Sequence, residues 1–403
     1  MQTEPRFLLF VDEFFRSVNR KLRVLQVSSY GLGHAGGLEA CAEMLAAQLG
    51  RHSCRTVWAF GTTTTNRATA RQVSYRVVDF LESNCGVPLP IPTLRSCRKL
   101  FRLVRGCDVA LIHDFMYLSS LLTMILCLCL RRPYVLIVHV WKVRYANVVF
   151  NCLQSFAHLF FGRPALRLAA AVVTYNQMHL RRIERVHNGP IFFVANGARS
   201  FAEASLPTRA RKRVCFTGRC VEKKGLHIVR QAAEALPHVE FVIAGAGPID
   251  PARWGLPNVK ILGWLEREEL SSIFRGSDLL LLPSRGEGFP LSIQEAMSAG
   301  LPCAIFAETW AAWGCDPEKF HILSDEHYIR DLKRILANSL TMARRIDISA
   351  YAKQSWNWLQ TGAAYAEILH GVHHDSRFAI GLRQKRLQAR WDNKLRGSIG
   401  TQS

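Results

Sequence analysis

Short apolar runs alternate with amphipathic stretches along the first half of the chain. The apolar runs, each of which predicts a strand, are residues 23–28, 55–60, 75–79, 109–113, 134–140 and 171–174. The stretches between them that predict helices are residues 38–49, 94–104, 118–130 and 147–170. Because strands that alternate with helices pair in parallel, this half of the chain predicts a doubly wound α/β domain.

A second series of the same kind starts at Val214. Its predicted strands are residues 214–217, 240–244, 259–262, 278–282 and 303–306, followed by terminal helices over 341–370. The segment 198–212 contains Pro207 and a basic end, which is typical of a connection between domains. The predicted division is an N-terminal Rossmann-like domain over 1–199, a C-terminal one over 200–350, a helix over 351–370 and a loose basic tail over 371–403.

The stretch 284–303 holds the most informative chemistry, because two carboxylates stand there with seven residues between them. Glu287 lies in a loop broken by glycine and proline, and Glu295 lies in the helix that this loop opens. A strand, a glycine loop and a helix in that order direct backbone N–H groups and a helix N-terminus at an anion. The carboxylates can accept hydrogen bonds from hydroxyls on either side, so the pattern predicts binding of a sugar nucleotide.

Four more segments occur in a fixed order around this stretch: Val194–Gly197, Gly218–Gly225, Phe241–Pro248 and Val259–Leu265. Together they resemble the retaining GT-B glycosyltransferases of the group 1, GT4-like family, whose Glu-x7-Glu motif is similar to residues 287–295. The resemblance implies a GT-B fold: α/β, with two doubly wound Rossmann-like domains, a cleft between them and a C-terminal helix that crosses back.

The resemblance also implies roles for residues of the C-terminal domain. Arg219 and Lys224 would contact the donor diphosphate, Glu295 the ribose hydroxyls, and Glu287 the donor sugar. Backbone N–H groups that would hold sugar or phosphate oxygens belong to Gly288, Phe289, Leu291 and Ser292. Taken alone, the two cations could instead be solvated residues of a loop, and Glu295 a solvated helix residue.

In the N-terminal domain, the loop after the first strand carries Gly33, Gly36 and Gly37, which resemble the family's glycine loop near the donor phosphate. A tight strand-to-helix turn would account for the same glycines. His139 ends a strand and resembles the family's histidine at the reaction centre. His113 and Asp114, which end the preceding strand, are similar to a segment near the family's acceptor side, although a lone strand-end histidine is often structural.

The net positive charge of the chain indicates which kind of partner it binds. The formal net charge is +21, and residues 1–200 carry 25 Lys and Arg against 10 Asp and Glu. Such a balance favours an anionic partner: a phosphorylated substrate, an anionic membrane surface or nucleic acid. No nucleic-acid signature is present, so we expect no nucleic acid. The segment Thr93–Arg105 has an apolar and a basic face, which fits either a membrane-docking helix or an ordinary helix covering the sheet.

Twelve scattered cysteines without a C-x-x-C pair are typical of reduced core thiols, and no signal peptide is visible, so we expect a cytoplasmic protein on the inner membrane surface. No metal site and no cofactor are expected beyond the UDP- or GDP-sugar donor. The expected function is retaining transfer of a hexosyl unit to a saccharide or lipid-linked acceptor in bacterial surface polysaccharide synthesis. The alternatives are a non-catalytic nucleotide-sugar or lipid-binding protein and a sugar-nucleotide epimerase.

Overall fold

The computed structural model describes residues 21–31, 37–63, 71–78, 90–141, 148–199, 201, 206, 210–286, 290–338 and 340–374. These residues form two compact units. The first contains the described residues up to Thr174, then Arg182–Val194 and those from Leu359 onward, and the second contains Tyr175–Arg181 and Ala195–Trp358.

The described part of the first unit is built on an eight-stranded sheet. Its strands are β1 (Leu22–Ser28), β2 (Cys54–Thr62), β3 (Gln72–Val78), β4 (Ile91–Pro92), β5 (Val109–His113), β6 (Tyr134–Val138), β7 (Ala171–Thr174) and β8 (Ile191–Phe193). The order is β4-β3-β2-β1-β5-β6-β7-β8, and all pairs are parallel except β3 with β4. Since β5 and β6 are adjacent and parallel, their carboxyl ends lie side by side.

Helices follow most of these strands. They are α1 (Gly37–Leu49), α2 (Leu94–Gly106), α3 (Leu118–Cys129), α4 (Val148–Ala157), a π-helical turn (His158–Gly162), α5 (Arg163–Leu168) and α6 (Gln177–Ile183). Thr93 caps α2, since its side chain accepts a hydrogen bond from the Ser96 N–H at 3.3 Å. The single helix expected over 147–170 is thus divided by the π-helical turn.

One continuous core joins α2, α3 and α5 to the same face of this sheet. It includes Leu100 of α2, Met124 of α3 and Leu166 of α5, packed with strand residues such as Ile112 and Leu136. Each of these side chains is at most 3% exposed. The other sides of the three helices therefore face away from the sheet.

The second unit has a six-stranded parallel sheet within the described residues. Its strands are β9 (Arg213–Thr217), β10 (Glu240–Ala244), β11 (Val259–Gly263), β12 (Leu279–Leu281), β13 (Cys303–Phe306) and β14 (His321–Leu323), in the order β11-β10-β9-β12-β13-β14. The chain runs outward from β9 in one direction and then in the other. The carboxyl end of β9 is therefore the topological switch point, where open α/β sheets bind ligands.

The helices of the second unit are α7 (Leu226–Ala235), α8 (Arg267–Arg275), α9 (Leu291–Ser298), α10 (Ala307–Trp313), α11 (Tyr328–Ala337) and α12 (Met342–Ser355). Arg345 of α12 is fully buried and donates hydrogen bonds to the carbonyl oxygens of Gly300, Arg275 and Phe274 at 2.8–3.1 Å. Burial lowers the pKa of Arg345 to about 10, and these bonds compensate the buried charge.

The last described helix, α13 (Trp358–His373), belongs from Leu359 onward to the first unit. A Cβ at Gly362 would lie 2.6 Å from the Cβ of Gln48, so this glycine lets α13 approach α1 closely. The C-terminal helix thus returns to the N-terminal unit, as expected from the sequence. Among the described residues, no helix combines the length and the apolar character needed to cross a bilayer, and every cysteine is a free thiol.

Candidate functional site

Two loops meet at the carboxyl end of β9 because glycine occurs where they touch. A Cβ at Gly245, which has φ of +153°, would lie 1.8 Å from the carbonyl oxygen of Gly218. The Gly218 N–H donates to the Ala244 carbonyl at 3.1 Å, and the Cys220 N–H donates to Ala246 at 2.9 Å. The loop that carries Arg219 is therefore fixed by backbone bonds to the loop after β10.

Lys224 lies beside the same loop. It ends a short 3-10 turn, Glu222–Lys224, which Gly225 closes in the left-handed conformation. The Cε atom of Lys224 is 3.8 Å from the position that a Cβ on Gly218 would occupy, so the lysine stem runs along the residue that precedes Arg219. Both cations thus belong to one loop at the switch point, with Arg219 exposed and Lys224 half-buried. Their contact with a diphosphate remains a prediction.

The lysine turn also touches the loop that leads from β12 to the Glu287 position. A Cβ at Gly225 would lie 2.3 Å from the Pro283 carbonyl oxygen, and the Arg285 N–H donates to the Lys223 carbonyl at 3.2 Å. The Gly286 N–H donates to Oε1 of Glu308 at 3.1 Å. The predicted site residues Glu287, Gly288 and Phe289 lie outside the described residues.

Helix α9 begins at the other end of that loop. Leu291 and Ser292 are its first two residues, where backbone N–H groups have no partner within the helix. Glu295 follows one turn later with a side chain only 12% exposed, and its Oε1 lies 3.8 Å from Nε of Arg199. The Ser298 hydroxyl donates to the Arg199 carbonyl at 2.8 Å, which holds the arginine segment against α9. This Arg199–Glu295 pair was not predicted from the sequence.

In the first unit, the ends of β5 and β6 bring two histidines together. Nδ1 of His113 lies 2.8 Å from Nε2 of His139, and the two rings stack with centroids 5.0 Å apart. Both side chains are buried. A hydrogen bond from Nε2 of His139 to a bound sugar would therefore compete with His113.

Asp114 fixes the backbone at His139. Its Oδ1 atom accepts hydrogen bonds from the N–H groups of His139 and Val140, at 2.8 and 3.2 Å. Asp114 itself has φ of +58°, a conformation that Asp and Asn adopt more readily than most other residues. The sequence pointed to Asp114 only as the residue that follows His113 in a segment similar to the family's acceptor side, and it did not indicate that this carboxylate would hold the backbone at His139.

Burial governs the charges in this cluster. It lowers the pKa of His113 to about 3, so this ring is neutral at pH 7. It also raises the pKa of Asp114 to about 7; the two backbone hydrogen bonds act against this rise, and the nearby Glu39 carboxylate adds to it. Glu39 belongs to the first turn of α1, which starts at Gly37, so the start of α1 lies near the ends of β5 and β6. Gly33 and Gly36 lie outside the described residues.

The described residues contain no evident set of metal ligands. Among those residues, no three His, Cys, Asp or Glu side chains are grouped so that they could hold an ion. The expectation of metal independence stays a prediction.

Known proteins resemble this chain in sequence over part of the second unit and in overall fold. The family model described as "Glycosyl transferases group 1" matches residues 211–313, which include β9, Arg219, Lys224 and α9. The D-inositol 3-phosphate glycosyltransferase of Mycolicibacterium smegmatis is 33% identical over 158 residues, 34% of this chain and 35% of that protein. The Escherichia coli UDP-Gal:alpha-D-GlcNAc-diphosphoundecaprenol alpha-1,3-galactosyltransferase is 38% identical over 78 residues, 17% of this chain and 20% of that protein.

The chain thus spans between a fifth and about a third of these curated relatives. In structure, sucrose-phosphate synthase from Thermosynechococcus elongatus superimposes with a TM-score of 0.68 at 16% identity, covering 88% of this chain and 100% of that one. This likeness concerns the fold and confirms the fold class expected from the sequence. Residues 211–313 therefore belong to the glycosyl transferases group 1 family, in a chain that has the fold of the GT-B glycosyltransferases.

Proposed function

We propose that this protein is a retaining glycosyltransferase that moves a hexosyl unit from a UDP- or GDP-sugar to a saccharide or lipid-linked acceptor. The observation that carries the proposal is the placement of Lys224. Its stem lies along Gly218, and its turn touches the Pro283 carbonyl through Gly225. A cation held between two loops at the switch point of a parallel sheet suits a diphosphate.

The leaving group explains why cations are needed there. When the bond between the anomeric carbon and the phosphate oxygen breaks, the diphosphate gains negative charge. Lys224 and Arg219 would stabilise that charge, and the N–H groups of Leu291 and Ser292 would add the favourable end of the α9 dipole. Glu295 would accept hydrogen bonds from the ribose hydroxyls.

Retention in a single step, without a covalent enzyme intermediate, requires the acceptor to attack from the side that the diphosphate leaves. A new bond forms between the acceptor oxygen and the anomeric carbon, and the acceptor proton passes to the departing phosphate oxygen. The protein then supplies no covalent nucleophile. His139, fixed by Asp114, would hydrogen-bond the donor sugar or phosphate, and Glu287 would orient the sugar hydroxyls.

The acceptor class and the cellular role are the broader part of the proposal. The Escherichia coli relative is named for a UDP-sugar donor and a lipid diphosphate acceptor, which supports an acceptor of that kind. Synthesis of a bacterial surface polysaccharide at the cytoplasmic membrane surface, without a metal or cofactor, would suit such substrates.

Nucleotide release from a panel of UDP- and GDP-sugars tests the donor site, first without an acceptor and then with polyprenyl-diphosphate saccharides. Lys224→Ala is expected to lower kcat by about a hundredfold to a thousandfold, as for removal of one group that stabilises transition-state charge. Lys333→Ala is the matched control, because Lys333 is exposed on α11. The control should match wild type.

Three results would decide between the proposed enzyme and its alternatives. Equal slow hydrolysis in wild type and Lys224→Ala would favour a non-catalytic binding protein. Release of free nucleotide with an altered sugar, independent of any acceptor, would favour an epimerase. Transfer with inversion at the anomeric carbon, read by NMR, would contradict the retaining mechanism.

A further inference from the structure

Three phenylalanines at the surface of the first unit have most of their rings in solvent. Phe156, Phe160 and Phe161 are 55%, 55% and 52% exposed. The rings of Phe156 and Phe160 contact one another, with centroids 4.2 Å apart. Large apolar side chains grouped at a surface usually mark an interaction site, since their exposure to water is unfavourable.

Local packing explains why these rings point outward. Within the π-helical turn, His158 and Gly162 are buried against Phe115: the Phe115 and His158 rings meet edge to face at 5.4 Å, and a Cβ at Gly162 would lie 2.7 Å from the Phe115 ring. The residues between them, including Phe160 and Phe161, are consequently turned away from the core. The packing of His158 and Gly162 therefore explains why the phenylalanine rings are exposed.

The neighbouring helices share this outer layer, because α2, α3 and α5 pack on one face of the sheet. On α3, Ile125 and Leu128 are exposed. Helix α2 carries five Lys and Arg and α5 carries two, whereas α2, α3, α4, the π-helical turn and α5 contain no Asp or Glu. All five basic side chains of α2 are exposed, namely Arg95, Arg98, Lys99, Arg102 and Arg105.

The two long helices α1 and α13 of this unit differ in charge. Helix α1 contains Glu39 and Glu43, and α13 contains Glu367. The combination of exposed aromatic rings, basic side chains and absent acids is therefore specific to the α2–α5 layer. It is the composition of surfaces that lie in a membrane interface, where rings enter the acyl boundary and Lys and Arg contact lipid phosphates.

We infer that the α2–α5 layer docks onto an anionic lipid bilayer, with Phe156, Phe160 and Phe161 inserted among the acyl chains and α2 lying against the headgroups. The inference deepens the proposed function, on which it rests, because a lipid-linked acceptor would be reached from that surface. We favour a bilayer over a protein partner, because the continuous anionic surface of a bilayer can contact the basic side chains of α2 and α5 at the same time.

Flotation of the full-length protein with phosphatidylcholine vesicles, with and without phosphatidylglycerol, tests the inference. Wild type should bind the anionic vesicles and lose binding in high salt. The double change Arg98→Glu and Arg102→Glu should weaken binding by at least about twenty-five-fold, from about fivefold for each of the two basic residues lost. The double change Phe160→Ser and Phe161→Ser should weaken it by at least about tenfold.

Matched controls change equally exposed residues of the second unit. Ile346→Ser removes a side chain that is 58% exposed on α12, and Lys333→Glu with Lys353→Glu reverses two exposed charges. Both controls should float like wild type. The phenylalanine variant should keep the wild-type thermal midpoint and acceptor-free donor hydrolysis, because Phe160 and Phe161 contribute little to the core.

Two outcomes would overturn the docking inference. One is wild type that does not bind anionic vesicles. The other is wild type that sediments as a dimer and becomes monomeric in the phenylalanine variant, which would assign the surface to a second copy of the chain. Vesicle binding without transfer to any lipid-linked acceptor would instead contradict the proposed function and leave the docking surface standing.

Discussion

His113 and His139 share a hydrogen bond between Nδ1 of the first ring and Nε2 of the second, 2.8 Å apart in a buried site. One nitrogen must donate and the other accept, so the pair is bonded when a single proton lies between these two atoms. Because burial lowers the pKa of His113 to about 3, the neutral ring is the form that folding favours. His113 therefore contributes a neutral ring to this hydrogen bond.

Replacement of His113 by Phe should change the pH dependence of stability. The unfolded histidine titrates near 6.5 and the folded one near 3, so its contribution is fully present above pH 6.5 and is lost as the pH falls towards 3. His113→Phe lacks this dependence. Urea titrations should show that the unfolding free energy of wild type falls relative to that of the variant as the pH is lowered from 6.5 to 4. A constant difference over this range would contradict the assignment.

Asp114 should behave in the opposite sense. Its pKa rises from 3.8 in the unfolded chain to about 7 in the folded one, so the stability associated with the neutral carboxyl is present below pH 3.8 and is lost as the pH rises through 7. Asp114→Asn keeps an oxygen for the His139 and Val140 N–H groups, tolerates positive φ and does not ionise. The variant should therefore gain stability relative to wild type between pH 4 and 7.

Asp114→Ala is the informative contrast, because it removes the acceptor of the buried His139 N–H and of the half-buried Val140 N–H. We expect a loss of about 2 to 4 kcal/mol in unfolding free energy. If Asp114 positions His139 for the reaction, the alanine variant should also lower kcat more than it raises KM, and the asparagine variant should restore kcat. Equal kcat values in the two variants would restrict Asp114 to a structural role.

The sequence predicted the sheets well where strands are buried on both faces. The predicted bounds 109–113, 171–174, 240–244 and 303–306 coincide with β5, β7, β10 and β13. Each consists mainly of a short apolar run with polar, glycine or proline residues nearby, which is the pattern of a central parallel strand. The short strand β8 was not predicted, because three residues at the edge of a sheet give little periodic signal.

Long-range packing accounts for what the sequence did not indicate. The π-helical turn exists where Gly162 meets Phe115, a contact between residues 47 positions apart that helical periodicity does not encode. Likewise, the Arg199–Glu295 pair joins a loop and a helix separated by most of the second unit. Motif spacing placed Lys224 and Glu295 on the correct elements, but only the folded chain shows which residues contact them.

Gly225 offers a test of the close approach at the candidate donor site. Gly225→Ala would place a Cβ 2.3 Å from the Pro283 carbonyl oxygen and force φ of +74° on alanine. We expect the lysine turn and the 283–286 loop to separate, with a loss of at least about 2 kcal/mol in stability and of nucleotide-induced thermal stabilisation.

Gly255→Ala is the matched control, since Gly255 has φ of +66° with no atom within 4 Å of its Cβ position. Its unfolding free energy should fall by only about 1 kcal/mol, the cost of a positive φ for alanine, and it should keep nucleotide-induced stabilisation. Loss of that stabilisation in both variants would mean that positive φ alone, and not contact with Pro283, explains the effect.

Glu295 is proposed to accept hydrogen bonds from the ribose, and a thermodynamic cycle can test this contact directly. Glu295→Ala should weaken binding of the preferred nucleotide by about tenfold to a hundredfold, since hydrogen bonds to a charged group contribute about 1.5 to 3 kcal/mol. Removing the ribose hydroxyls instead, with 2′-deoxy and 3′-deoxy nucleotides, should weaken binding to wild type to a similar degree. The two changes should not add, because each removes the same interaction.

Arg199→Ala distinguishes the effect of the Arg199–Glu295 ion pair on nucleotide affinity from the effect of the ribose contact. Arg199 lies 3.8 Å from Glu295 and is 36% exposed, so its loss should cost less than about 1 kcal/mol of stability. Its effect on nucleotide affinity should be no more than severalfold and should persist with deoxynucleotides, because Arg199 holds the carboxylate and does not meet the ribose. Glu234→Ala, an exposed change on α7, is the control. Full additivity of Glu295→Ala with both deoxynucleotides, measured by calorimetry, would remove Glu295 from the ribose site.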